Sequence, residues 1–274
     1  MPEPVKKQRG RPKSQFTESS ASTLQSLDRA LGILDALSRQ NAASLTDIAM
    51  RLGIPTATTH RILTTLQKRR FAEFDEDTQT WMVGIEAYRV GTSFLKRTNL
   101  LDISRPVMRA LMQSTGETAN LAVPDGPEVV FIGQVESQNP VRAFFDHGTR
   151  TSMHASGTGK AILAALNEAK VLKLMQSAGL EQFTARTLVT PAALLDDLAR
   201  TRARGWSFDQ EERFEGMSCI GAVICDSLGE PIAGVSISGP SNRFADRQVD
   251  GFGAQVARAA AEISASIGGA PVRD

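Results

Sequence analysis

SLTDIAMRLGIPTATTHRILTTLQKRRF, residues 44–71, decides how the first part of the chain folds. Ser44 precedes Asp47 by three positions, the spacing of a helix-starting cap. Leu45, Ile48, Ala49 and Leu52 then recur at helical spacing and define one buried face. Gly53 follows, where a left-handed residue can close the helix. Pro55 blocks continuation and opens the next helix near its first turn. In that second helix Thr59, Ile62, Leu63 and Leu66 form the inward stripe, and Thr56, Thr58, Arg61 and Thr65 fall on the other side, flanked by His60 and Thr64. Two short helices joined by a tight turn, the second with a polar, cationic outer face, are how a helix is delivered into the DNA major groove. Threonine is a poor helix former, so a Thr-rich face makes sense if the hydroxyls and methyls meet phosphates or thymine methyls. The plainer reading is a small helical subdomain with no such task.

Working outward, the spacing predicts an upstream helix from Ser26 to Arg39, with Leu27, Ala30, Leu31, Leu34 and Leu37 facing inward. Downstream, Phe71 to Phe74 is extended, DEDTQ at 75–79 is turn-like, and Thr80 to Val83 is extended again. Three helices closed by a hairpin make a winged helix-turn-helix. The run KKQRGRPKS at 6–14 adds Arg9 and Arg11 around a glycine, held extended by Pro12, which suits a narrow minor groove. A solvated tail is its plainer reading. The candidate DNA contacts are Arg9, Arg11, Thr56, Thr58, Thr59, His60, Arg61 and Thr65.

Charge is unevenly spread over the 274 residues. Residues 1–97 hold 15 Lys and Arg against 10 Asp and Glu, a net of +5; residues 98–274 hold 16 against 20, a net of −4. Such asymmetry is expected when only one part meets nucleic acid. The length suggests about two domains, with ample chain for a core in the second. Cys219 and Cys225 share one apolar run, GMSCIGAVICD, and on one strand would lie roughly 20 Å apart, too far for a mutual disulfide. His60, His147 and His154 show no metal-ligand spacing with them. No apolar stretch approaches membrane-spanning length, and the N-terminus has no signal-peptide core. These features predict a soluble, reduced, cytoplasmic protein without metal or cofactor.

The expected organisation is a basic arm at 1–22, a DNA-binding domain at 23–84, a linker helix at 85–99 and a second domain at 100–270. In the second domain helices are expected at 100–115, 156–166, 168–178, 191–204 and 246–267. Strands are expected at 118–123, 128–135, 141–145, 206–211, 217–226 and 231–238, the last two joined by a hairpin at Leu228-Gly229-Glu230. This is an α+β arrangement with a largely antiparallel sheet.

The run MHASGTGKA at 153–161 carries the second chemical signal. An apolar helix begins near Ser156 or Gly157, and Gly157 and Gly159 let a ligand approach the backbone. A helix N-terminus is an anion site. Ser236 and Ser238 share one face of a strand, opposite Val235 and Ile237, and two hydroxyls on an inner strand need partners. Sheet hydrogen bonding alone is the plainer account of them. Cys219 lies on the neighbouring strand, and Asp209 in WSFDQEE supplies an acceptor. Together these groups suit a very small carboxylate. SGTGK is not a phosphate loop, because that signature needs a glycine six before the lysine and Ser or Thr after it, where His154 and Ala161 stand. A Cys219–His154–Asp209 nucleophile triad has no support from spacing, and cysteine on a buried strand is usually inert.

The ordered set LQSLDRALGILDAL, IPTATTHRILTTLQ, MHASGTGKA, GWSFDQEE, MSCIGAVICD and AGVSISGP resembles the isocitrate lyase regulator (IclR) family over nearly the whole chain, and within it the glyoxylate-responsive branch. The resemblance implies a bacterial transcription factor and not an enzyme, with a winged helix-turn-helix domain, a linker helix and a C-terminal α/β, GAF-like effector-binding domain. It places the effector contacts on Gly157, Thr158, Asp209, Cys219, Ser236 and Ser238, and the pocket lining at Ala143, Thr151 and Met217. Thr158 stands where the close relative has alanine, and Ala143 and Thr151 where it has larger apolar residues. The resemblance also implies a homodimer or homotetramer, double-stranded DNA with a palindromic operator as one partner, and glyoxylate or a similar small acid as the other.

Overall fold

Side-chain chemistry at the helix ends shapes the N-terminal part. A computed structural model describes residues 24–96 and 99–270, and the chain divides into two units between Phe94 and Leu95. The first contains α1 (Gln25–Ser38), α2 (Leu45–Leu52), α3 (Thr56–Lys68), the hairpin β1 (Ala72–Asp75) and β2 (Thr80–Val83), and all but the last two residues of α4 (Ile85–Lys96). At the start of α2, Ser44 Oγ accepts from the Asp47 N–H at 3.2 Å and donates to Asp47 Oδ2 at 2.7 Å. Gly53, at φ 62°, ends the helix, and the Ile54 N–H reaches back to the Ala49 carbonyl. Ile33, Leu37, Ile48, Ile54, Leu63, Ala72 and Trp81 make one core. Ala43 and Trp81 exchange two backbone hydrogen bonds, at 3.0 and 2.8 Å, which tie the hairpin to the segment entering α2.

The expected inward face of α1 needs correction. Its buried residues are Ile33, Ala36 and Leu37, whereas Leu27 and Leu31 are 54% and 59% exposed. The buried residues all lie in the C-terminal half of α1, so its first turns extend past the core. Leu24, Leu27 and Leu31 form an exposed apolar stripe there.

The second unit contains α5 (Leu100–Thr115), β3 (Thr118–Asp125), β4 (Glu128–Val135), β5 (Arg150–Ser152), α6 (Gly157–Ala164), α7 (Glu168–Ala178), α8 (Pro191–Arg204), β6 (Ser207–Gln210), β7 (Met217–Cys225), β8 (Pro231–Pro240) and α9 (Asp246–Ser266). The sheet order is β5-β4-β3-β8-β7-β6, and every neighbouring pair is antiparallel. One face packs on α5 and α9 through Leu111, Leu121, Ile220, Val235, Ile237, Val256 and Ile263. The other packs on α6, α7 and α8 through Ala122, Phe131, Ile162, Leu163, Val171, Leu194 and Leu198. Period-two alternation in β8 therefore sends Val235 and Ile237 to one layer and Ser236 and Ser238 to the other.

The strand expected at 141–145 is absent; the edge strand is β5, at Arg150–Ser152. Gly148 and Thr149 already occupy the backbone groups of Phe131, at 2.7 and 2.9 Å. The β4 edge is thus taken, and 141–145 has nothing to pair with. It attaches by side chains instead, Phe145 stacking on Phe131 with centroids 4.6 Å apart.

Candidate functional site

α3 is held from behind and open in front. Of its thirteen residues, Thr59 and Leu63 are buried. Thr56, His60, Arg61 and Thr65 are exposed and Thr58 is half-buried. Thr59 leaves the set of DNA contacts: it is fully buried, its Oγ1 3.3 Å from the Pro55 carbonyl. Thr64 and Thr65 donate to the His60 and Arg61 carbonyls at 2.9 and 2.8 Å, which spends their protons and leaves lone pairs and methyls facing outward. Lys68, Arg69 and Arg70 extend the cationic surface beyond Arg61. The wing tip is acidic, with Asp75, Glu76 and Asp77. Backbone N–H groups of Thr78 and Asp77 hold the Asp75 carboxyl below its usual range. The wing tip is thus ill-suited to phosphate, and α3 is the surface chemically fit for DNA. Arg9 and Arg11 lie outside the described residues.

α6 is the opposite case, with all eight residues buried. Its Ser156 cap accepts from the Gly159 N–H at 3.3 Å. The helix lies directly on the sheet through glycine. A Cβ at Gly221 would come within 2.6 Å of the Gly157 carbonyl, and one at Gly157 within 2.7 Å of Cys219 Sγ. Beneath it the register sets Asp209 opposite Cys219, Cys219 opposite Ser238, and Ser238 opposite Thr118. The next row aligns Ser207, Gly221, Ser236 and Asn120. Side chains from β3, β6, β7 and β8 thereby meet in one polar strip.

A cavity of about 30 Å³ opens on this strip. Asp209, Cys219, Ser238, Thr151 and Met217 line it, together with Phe131, Phe145, Ser156, Arg213 and Phe214. Gly157 and Ser236 lie beside the wall, and the Ser236 hydroxyl is buried without a hydrogen-bond partner of normal geometry. Thr158 is turned away, its methyl filling the space over Gly234. Ala143 is also off the wall. Its carbonyl accepts from the Thr118 hydroxyl at 3.0 Å, and without a strand at 141–145 the expected side-chain alternation does not hold, so Phe145 lines the cavity instead. The sequence reading missed Asn120. Its signal was a lone amide in the apolar strand TANLAV, where a buried amide needs partners.

Burial and the charge of Glu212 push the Asp209 carboxyl up to about 7, against the pull of Lys160. Its Oδ1 accepts from the Glu212 N–H at 2.7 Å. Lys160 is fully buried, its Nζ 2.5 Å from Glu212 Oε1, 2.9 Å from Asp197 Oδ2 and 2.5 Å from the Phe208 carbonyl. Burial disfavours its charge, but Glu212 and Asp197 outweigh that, and its pKa is raised. The lysine of SGTGK is therefore spent on an internal ion cluster. Burial, with Asp209 beside it, pushes the Cys219 thiol up to about 11, so it stays protonated near neutrality. Burial lowers the pKa of His154, whose Nε2 is 3.0 Å from the Glu181 carbonyl. The nucleophile triad is not assembled: the thiol is not ionised and the imidazole is engaged elsewhere. Among the described residues no cluster of His, Cys, Asp and Glu is arranged to hold a metal ion. No described helix is long and apolar enough to cross a membrane.

Residues 26–76 match the IclR helix-turn-helix domain, and residues 92–265 match the bacterial transcriptional regulator IclR C-terminal domain. The chain belongs to the IclR family of transcriptional regulators. This IclR-family regulator is 44% identical to the HTH-type transcriptional regulator BhcR of Paracoccus denitrificans, over 98% of this chain and 96% of that protein. It is 43% identical to the transcriptional repressor IclR of Escherichia coli, over 97% and 98%. The crystal structure of the Thermotoga maritima IclR superposes with a TM-score of 0.75 at 28% identity, covering 90% of this chain and all of that one. The relatives are regulators of transcription, not enzymes.

Proposed function

We propose that operator binding by this regulator is modulated by a small 2-oxo carboxylate, glyoxylate first, and that it controls genes of glyoxylate and two-carbon metabolism in the cytoplasm. The observation that carries this reading is the small, half-open cavity with Asp209, Cys219 and Ser238 on one wall. A space of about 30 Å³ holds about two water-sized groups before the walls must move. A ligand of a few heavy atoms suits it. Ser238 supplies a hydroxyl for a carboxylate, and Asp209 can accept from an aldehyde hydrate or, when protonated, donate to a carbonyl. An acetate operon repressor of Salmonella typhimurium, 42% identical, carries two-carbon metabolism in its name.

Glycolate or pyruvate is the alternative effector. Thr151 favours glycolate: its hydroxyl is buried on the cavity wall without a partner and can accept from an alcohol, a donor that a carbonyl oxygen lacks. Glyoxylate has five heavy atoms, so its affinity is capped near about −7.5 kcal/mol, roughly micromolar. A ligand shifts an equilibrium only by its differential affinity for the two states. A homodimer or homotetramer, summing several such shifts on a palindromic operator, suits so small a signal.

The test is a polarisation titration of the protein on its own upstream DNA, at fixed salt because phosphate contacts make affinity salt-dependent, with and without glyoxylate. A change in affinity in either direction supports the reading. Binding that responds only to pyruvate or glycolate selects the alternative. Binding indifferent to all three overturns the effector assignment and leaves a ligand-independent DNA-binding protein.

A further inference from the structure

Asn120 is fully buried where β3 meets β8, one residue row from the cavity wall. Its Nδ2 donates to Ser238 Oγ at 3.2 Å and faces the Thr118 carbonyl at 3.5 Å. Its Oδ1 accepts from Gln134 Nε2 at 2.9 Å. A carbonyl oxygen only accepts, so the amide nitrogen belongs on the Thr118 side. Turning the amide over would also set two NH₂ groups against each other at Gln134. A hydroxyl has one proton and two acceptor sites. With Asn120 donating to it, Ser238 keeps its own proton for the Cys219 sulfur or for a ligand. Among the described residues no hydrogen bond of normal geometry holds that proton.

Of the nearby cations, Lys160 is held by Asp197 and Glu212. Arg213 lines the cavity with its guanidinium 3.7 Å over the ring of Phe183 and its Nε–H buried without an acceptor among the described residues, so its charge still faces an anion there. Ser238 adds a neutral donor beside that cation, and two amides donating in series strengthen the last donor in the chain.

We infer that Asn120, backed by Gln134, is a positioning residue that fixes Ser238 as a hydrogen-bond donor into the cavity and so makes the site prefer a carboxylate over its neutral amide isostere. This rests on the reading of the cavity as the effector site. Gln134 is half-buried at the sheet surface, so the direction of the whole relay can be altered from outside the cavity.

The test is calorimetric titration of the full-length protein with glyoxylate, pyruvate, and their neutral amides, glyoxylamide and pyruvamide. Asn120→Asp replaces a donor by an acceptor of the same shape and draws the Ser238 proton away from the cavity. Gln134→Glu requires Asn120 to turn its NH₂ outward and its carbonyl toward Ser238, with the same consequence. Wild type is expected to favour acid over amide. Both variants should reduce the acid-to-amide affinity ratio by at least about tenfold, the effect of losing a hydrogen bond to a charged group. Lowering the pH until the introduced carboxylate of the Asn120→Asp variant is protonated should restore the ratio, because a carboxylic acid can donate again. A merely structural role would weaken acid and amide together. Simple repulsion by an added carboxylate would spare Asn120→Leu, which removes the donor without adding charge and should still lower the ratio; a ratio lost only in the charged variants overturns the inference. If Asn120→Asp does not fold by circular dichroism, Gln134→Glu and Asn120→Leu decide. Ratios within about twofold of wild type in every folded variant, less than the loss of one hydrogen bond, overturn this inference and leave the effector reading standing. A wild-type protein that binds none of the four compounds overturns both.

Discussion

α3 and α6 are both short helices with threonine in their first turn, and they end up in opposite environments. Two of the thirteen residues of α3 are buried, while all eight of α6 are. α3 rests on the core of Ile33, Leu37, Ile48 and Trp81, and its outer face is exposed among the described residues. α6 lies between the sheet and α8, close enough to the sheet that glycine is required at the contact. The difference suits the partners proposed for each helix. A duplex supplies a large charged surface and needs only a rigid ridge with exposed cations. A small acid makes few contacts, and a concave site gathers them.

Breaking the enclosed side should cost most. Lys160→Met leaves Glu212 buried without its cation and Asp197 with Arg200 alone, and a loss of about 3–5 kcal/mol is expected in urea denaturation of the full chain. A loss below about 1 kcal/mol would mean that α6 is not locked by this cluster. Gly221→Ala forces the sheet away from the Gly157 backbone and should cost about 1–3 kcal/mol in the same assay. Neither substitution has a counterpart on the open face of α3.

On the open side the effect should appear in binding. Arg61→Ala is expected to weaken specific operator binding by about 1–3 kcal/mol, with glyoxylate affinity unchanged by calorimetry. If effector affinity falls in parallel, the two faces are not separable as described.

A pH series sharpens the contrast. The Asp209 carboxyl is pushed up to about 7 from 3.8, so between those values the folded state holds a proton that the unfolded chain releases. Its contribution to stability is therefore full below pH 3.8 and is lost as pH rises toward 7, with a slope of at most about 1.4 kcal/mol per pH unit. Asp209→Asn should flatten that slope in denaturation curves taken from about pH 5 to 7. An unchanged slope would assign it to Glu212, whose pKa is also raised by burial. The smallest effect belongs to the start of α2: Ser44→Ala removes one capping bond and should cost about 1 kcal/mol, read as a small drop in melting temperature.

Much of the architecture was legible because local rules and tertiary needs agree. Ser44, Gly53 and Pro55 punctuate α2 and α3 by backbone chemistry alone, and the alternation in β8 assigns Ser236 and Ser238 to one face wherever the strand lies. The errors fall where a neighbour decides. Leu27 and Leu31 have the spacing of a core face, but α1 outruns its core. VRAFF at 141–145 has strand composition, but the edge it needs is filled by 148–152. Thr59 is the exception: it has the chemistry of a DNA contact, but helical spacing alone already puts it on the inward stripe of α3, and it is buried there.

By itself the sequence determined the helix starts and stops, the charge asymmetry between the two parts and the family to which the chain belongs, since these depend on residue type and on spacing along the chain. Tertiary structure decided which polar groups meet. Asn120 and Ser238 are 118 residues apart, and only the β3–β8 register brings them to 3.2 Å. Lys160 became a structural cation only when α8 and the segment after β6 delivered Asp197 and Glu212 to it. Hydrogen bonds and buried charges are settled by distances of a few ångströms, and no periodicity in a single strand or helix specifies what lies across from it.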